Sequence, residues 1–323
     1  MVVHSYKELI AYSQGLAGYE HGHALFVNCR GSSASRGDTQ RVNQWLQGLP
    51  VPSVALGSGG ELVTRGFDML AATEAELATI DASVIARPKA SAILVQTTRV
   101  TGELPIASAL VVESLGYATL QAGSEFAAWL QRQPVRIPKL SATEQLMLGR
   151  SGSQLSITLN HPENRNALSV GMRDALTEAF TLVSTDHSIA TVNVKGEGPC
   201  FSAGGDLSEF GSCQDVSEAH QIRQRCMPAN ALAMAAGRYT FHLHGACIGA
   251  GIELPAFAGK VVAKPNTYFR LPEVDMGLIP GAGGCVSIPR RIGRQRTNWL
   301  AITGIELNAE TALAWGLIDA VMD

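Results

Sequence analysis

The sequence predicts an α/β protein in two parts: a core over residues 150–323 and a helix-rich α/β segment over residues 1–140. Three observations predict it. Beyond residue 150, short alternating runs and helical runs succeed each other as strand, strand, helix, joined by short turns. The 323 residues are 46% hydrophobic and only 16% charged, so the chain can bury a sizeable core, and its 33 glycines supply many tight turns. Between the parts, residues 131–139 hold Pro134 and Pro138 among charged and amide side chains and read as a linker.

In the first part, residues 23–28 read as a strand, 31–38 as a Ser/Gly-rich loop and 40–49 as a helix. Residues 54–56 read as a strand that ends in the glycines of 57–60. Residues 73–99 are helical, broken at Pro88 because proline cannot sit inside a helix without losing a hydrogen bond. Another helix is expected over 105–130. In the second part, residues 155–159 alternate as a strand. Ser169 caps a helix running to about residue 184, with Ala175, Leu176, Ala179, Phe180 and Val183 on one face. Strands follow at 189–194, 239–244 and 261–263. Helices are expected at 216–235, from Gly249, at 294–302 and at 309–315.

Composition excludes several classes of function. A net charge of −3 gives no reason to expect nucleic acid. No apolar run reaches the ~20 residues that span a bilayer, so no membrane is expected. The first residues lack a basic start and an apolar stretch, which argues against a secretory signal. The six cysteines are scattered without a Cys-x-x-Cys pair, which suits reduced thiols in a cytoplasm. Cys200 and Cys247 read as small buried residues. His242 and His244, like His21 and His23, alternate without further ligands, so no metal site is expected. No Walker loop or dinucleotide fingerprint is present.

Chemistry concentrates in three short runs. Phe201-Ser202-Ala203-Gly204-Gly205-Asp206 follows a strand, and its glycines let a ligand oxygen approach bare N–H groups. Gly249-Ala250-Gly251-Ile252-Glu253 opens a helix, whose first N–H groups are unpaired and carry partial positive charge. One N–H from each run, aimed at one point, makes an oxyanion hole able to stabilise an enolate beside a thioester. Glu253 and Glu273, the latter in Phe269-Arg270-Leu271-Pro272-Glu273, add two carboxyl groups for moving protons. Asp206 reads as a helix cap rather than a catalyst.

Asn160-His161-Pro162-Glu163-Asn164-Arg165-Asn166-Ala167-Leu168 and the runs around Gly205 and Glu253 occur in order with Pro272-Glu273 through Gly284 and Gly316-Leu317-Ile318-Asp319. On these motifs, residues 155–322 resemble the enoyl-CoA hydratase/isomerase (crotonase) superfamily. The resemblance implies a spiral of β-β-α turns and an acyl-CoA substrate, with coenzyme A as part of the substrate and no other cofactor. It places the oxyanion-hole amides at Gly205 and Ala250. It assigns substrate binding to Arg165, Asn166, Ala167, Leu168, Ala203, Gly204 and Asp206. It implies hydration of an α,β-unsaturated acyl-CoA, with Glu253 deprotonating water and Glu273 protonating Cα. The alternatives are a double-bond isomerase, a CoA-thioester hydrolase or a non-catalytic CoA-binding protein. Self-association is expected from the same resemblance, as a trimer or dimer of trimers.

The sequence departs from the family at Arg270 and Leu271, where a small residue and an amide are usual, and at Gly259, where an aspartate is frequent. Arg270 is expected to face solvent rather than an acidic acyl group. A family member normally continues past the Gly-Leu-Ile-Asp run with helices that cover the site. Residues 65–70 parallel 315–320, and helical text follows, closing on Gly123-Ser124-Glu125-Phe126-Ala127-Ala128-Trp129-Leu130. Residues 1–140 are therefore read as a degenerate crotonase-like segment that supplies those helices, in cis or from a neighbouring subunit; the alternative is an unrelated α/β appendage used for assembly.

Overall fold

The computed structural model describes residues 1–20, 22–57, 60–137 and 144–322. The expected His21 alternation and the end of the linker lie outside the described residues. The first part builds a parallel sheet from β1 (Val3–Ser5), β2 (Leu25–Asn28), β3 (Ser53–Leu56) and β4 (Met69–Ala71), paired in that order. Between the strands run α1 (Tyr6–Ser13), α2 (Arg36–Gln47) and the short α3 (Glu61–Thr64). Ser35 caps α2 by accepting the Asp38 N–H, so this helix starts four residues before the sequence suggests. The strands alternate between two cores. Leu25, Val27 and Ala55 pack with α1 and α2, while Phe26, Val54 and Leu56 join the main core of the molecule.

Four helices follow: α4 (Glu74–Ala86), α5 (Pro88–Thr101), α6 (Ile106–Gln121) and α7 (Ser124–Arg132). Pro88 begins α5 at the expected break. Residues 105–130 form two helices rather than one, divided at Gly123.

The second part carries a six-stranded sheet of β5 (Leu146–Ser151), β6 (Gln154–Leu159), β7 (Thr191–Gly196), β8 (Tyr239–Leu243), β10 (Lys260–Ala263) and β13 (Ala320–Val321), in the order β13-β10-β8-β7-β6-β5. Only β5–β6 pairs antiparallel. A second sheet, in the order β12-β11-β9, contains β9 (Ala246–Ile248), β11 (Tyr268–Arg270) and β12 (Leu307–Asn308). The helices are α8 (Val170–Thr185), α9 (Val216–Cys226), α10 (Ala229–Met234), α11 (Ala250–Glu253), α12 (Gly284–Ile292), α13 (Arg294–Thr303) and α14 (Ala309–Trp315). Pro228 splits the helix expected over 216–235 into α9 and α10. Strand β5 and helix α12 are missing from the sequence reading. The burial pattern of β5 is exposed in all but Leu146, so it offers no apolar alternation. Pro289 inside α12 disguises that helix.

The two parts pack together: α13 against β4 and α4, α12 against α5 and α6, and α9 against α6. No helix among the described residues is long and apolar enough to cross a membrane.

Candidate active site

The two glycine turns are held face to face by backbone bonds. Ser202 bridges Cys247 in parallel, Ser202 N–H donates to Ala246 O (3.3 Å), and Ile248 N–H donates to Ser202 O (3.1 Å). Gly204, at φ +88°, lies so close to Ile248 that a Cβ would sit 2.7 Å from its carbonyl oxygen, so only glycine lets the turns close. Register then runs outward. Cys247 pairs Phe269 and Ile248 pairs Arg270, which brings the end of β11, and Glu273 after it, beside α11. Leu168 bridges Gly205 from the other side.

Glu253 and Glu273 converge on Gly249. A Cβ there would clash with Glu273 Oε1 and meet Glu253 Oε1 at 3.6 Å, and the backbone stands at φ +48°. Glu253 is 2% exposed, and its Oε2 accepts the N–H groups of Ala282 (2.7 Å) and Gly284 (2.9 Å). Burial raises its pKa to about 7, against the lowering effect of those two amides. Glu273 Oε2 is buried with no hydrogen-bond partner among the described residues. Burial, and then the neighbouring Glu253 charge, push Glu273 well above the usual carboxylate range.

Of the predicted site residues, Leu168, Gly205, Asp206, Ala250, Glu253 and Glu273 line one cavity of about 270 Å³. Neither Gly205 N–H nor Ala250 N–H bonds to a backbone carbonyl outside its own element among the described residues. The other predicted residues do not line it. Arg165 and Asn166 both adopt left-handed backbone, at φ 52° and 51°. Asn166 accepts from His161 N–H and donates to the carbonyls of Glu197, Cys200 and Phe201, so its amide braces the turn. The exposed Arg165 accepts the Ala203 N–H through its carbonyl, and Ala167 is buried. Asp206 caps a turn, not a helix: Oδ1 accepts from Ser208 N–H and Oγ–H, and Oδ2 accepts from Asn164.

Arg270 does not face solvent as expected. It is half-buried, and its Nε–H donates to Gly304 O (2.8 Å) at the end of α13. Burial dominates because Gly304 leaves a helix-end carbonyl in reach. His242 and His244 bond Asn193 Oδ1 and Gly198 O respectively.

The first part of the chain reaches into the same site, and sequence reasoning missed which residues do so. Glu113 on α6 is 2% exposed; its Oε1 accepts Gly283 N–H and its Oε2 accepts Cys285 N–H, both at 2.8 Å. Four successive amides, 282 to 285, thus alternate between Glu253 and Glu113. Burial, and then the Glu253 charge, raise Glu113 well above its usual range. Tyr117 lies against Gly281 and lines the cavity. Arg87 donates to Asp275 O (2.8 Å), and α7 presses Phe126 against Gly277, so the loop after Glu273 is clamped from the same segment. A glutamate at an otherwise apolar helical position was the available signal for Glu113.

The model of the family described as enoyl-CoA hydratase/isomerase matches residues 149–323. The chain belongs to that family. Among curated relatives it is 31% identical over 181 residues to 2,3-dehydroadipyl-CoA hydratase of Escherichia coli K12, covering 55% of this chain and 69% of that protein. It is 30% identical over 172 residues to the trans-2-decenoyl-[acyl-carrier-protein] isomerase of Streptococcus mutans, covering 52% and 65%. A solved enoyl-CoA hydratase from Thermoplasma volcanium superposes with a TM-score of 0.52 at 30% identity, covering 56% of this chain and 73% of that one. The protein is therefore an enzyme of the hydratase/isomerase class with a crotonase fold in its second part.

Proposed function

We propose that the protein hydrates an α,β-unsaturated acyl-CoA. The observation that carries this reading is the unequal treatment of two carboxyls converging on Gly249. Glu253 receives two amide N–H groups that favour its anion. Glu273 has a buried oxygen with no hydrogen-bond partner among the described residues, and burial pushes it well above the usual carboxylate range. Environments that push two neighbouring carboxyls apart assign a base and an acid. The thioester oxygen sits between Gly205 N–H and Ala250 N–H. Glu253 takes a proton from water as the water oxygen bonds Cβ, and the double-bond electrons move to the thioester as an enolate. Collapse of the enolate takes the Glu273 proton to Cα. Return of the proton from Glu253 to Glu273 resets the pair. The names of the hydratase relatives support the same reaction class.

The test is loss of the enoyl-thioester ultraviolet absorbance with crotonyl-CoA. Wild type is expected to turn over, and Glu253→Gln and Glu273→Gln each to lose about 10²–10⁴-fold in kcat. A wild type inert toward 2-enoyl-CoA but active in moving a 3-enoyl double bond overturns hydration in favour of isomerisation.

A further inference from the structure

Two arginines line the cavity, Arg173 and Arg223. Arg173 pairs with its neighbour Asp174 at 2.7 Å. Arg223, on α9, forms no salt bridge among the described residues. Its Nε–H donates to Ser114 Oγ (3.1 Å), one terminal nitrogen donates to Gln121 Oε1 (2.8 Å), and the other lies 3.5 Å from Ser114 O. A guanidinium carries five N–H donors, so two remain uncommitted. Its carbon sits 4.6 Å from the centre of the Tyr117 ring. Glu113 influences it from beyond ion-pair distance and spends both oxygens on Gly283 and Cys285. Burial lowers the Arg223 pKa, against the raising effect of Tyr117 and Glu113 nearby. Such a group is costly to keep unless a partner arrives.

Position says which partner. On the proposed reading, the thioester carbonyl is fixed at Gly205 and Ala250, and Cα and Cβ lie at Glu273 and Glu253. Tyr117 lines the same cavity as both glutamates, and Arg223 lies over its ring on the wall of that cavity. The acyl chain beyond Cβ therefore extends along Tyr117 toward Arg223. An alkyl end would bury the guanidinium still deeper, whereas a carboxylate matches its planar fork.

We infer that the acyl group ends in a carboxylate bound by Arg223, making the substrate an ω-carboxy-2-enoyl-CoA. This rests on the acyl-CoA reading of the cavity, and the experiment separates the two. Binding is measured by calorimetry with saturated thioesters, which cannot be hydrated: adipyl-CoA against hexanoyl-CoA. Wild type is expected to bind adipyl-CoA about tenfold to hundredfold more tightly. Arg223→Met is expected to bring that ratio near one, and Arg223→Lys to retain part of it. Equal affinities in wild type overturn the inference whether or not a variant folds, as does an Arg223→Met loss that is the same for both ligands. Hydration of 2-hexenoyl-CoA by wild type and Glu253→Gln is scored separately: turnover there with no adipyl preference leaves the hydratase reading standing and removes this one.

Discussion

The helical segment meets the second part of the chain at two buried carboxylate clusters of opposite design. At the first, Asp68 is fully buried, binds Arg99 of α5 through both oxygens, and accepts from Arg294 of α13 (3.2 Å) and from Ser53 N–H (2.9 Å). At the second, Glu113, Glu253 and Glu273 share one buried space with the 282–285 amides, and none forms a salt bridge among the described residues. The first cluster attracts and joins α5 to α13. The second buries and crowds like charges, which costs stability and raises all three carboxyls, Glu253 to about 7. One interface thus contains both a weld and the proposed proton-handling site.

The largest expected effect tests the weld. Asp68→Ala leaves two buried guanidinium groups without their anion and should cost about 3–5 kcal/mol in urea unfolding. Asp319 offers the control. It accepts Val261 N–H (2.7 Å) as Asp68 accepts Ser53 N–H, in the same position at a sheet end, yet its side chain is 41% exposed and meets Arg291 alone. Asp319→Ala should cost only about 1 kcal/mol. Equal losses at the two aspartates would show that Asp68 is an ordinary sheet-end bond and not a seam.

The second effect has the opposite sign from an ordinary stabilising carboxylate. Glu253 has its pKa raised by burial from 4.5 to about 7, so between those values the folded chain holds a proton that the unfolded chain has released. Stability from this group is fully present below about pH 4.5 and is lost as pH rises through about 7. The loss is on the order of 3 kcal/mol across the window. Glu253→Gln should flatten the difference between stabilities measured at pH 5 and pH 8, and should be more stable than wild type at pH 8. Other carboxylates titrate in both proteins, so the comparison isolates this one. A wild type with the same pH slope as Glu253→Gln would mean that the glutamate cluster is not under charge strain.

Much of this arrangement was legible in the sequence. The glycines at 204, 205 and 249 and the glutamates at 253 and 273 lie in short local runs, where turn geometry dictates residue type. What joins the two parts was not legible. Glu113 and Arg223 sit on helices more than a hundred residues apart, Arg99 reaches Asp68 across 31 residues, and Arg294 reaches it across 226. Periodicity reports which face of a helix is buried but not what that face meets. The break between α9 and α10 falls at Pro228 while α12 continues through Pro289, because the effect of a proline depends on which turn of a helix it occupies.

The smallest effect sharpens the comparison most. Glu113 sits on the helical segment, makes no contact with the cavity, and shares alternate amides of one loop with Glu253. Glu113→Gln keeps the shape but presents one NH₂ to a loop N–H, so one amide loses its acceptor at a cost of about 1 kcal/mol. Glu113 and Glu253 repel each other once both are ionised, so removing this carboxyl should let Glu253 ionise more readily. The pH–rate profile for hydration should shift its acid limb to lower pH, while KM moves little. A variant that merely unfolded more easily would lower activity without moving the limb. If the limb stays in place, Glu113 is structural filling like any capped carboxylate, and the helical segment contributes walls to the active site but no tuning of its base.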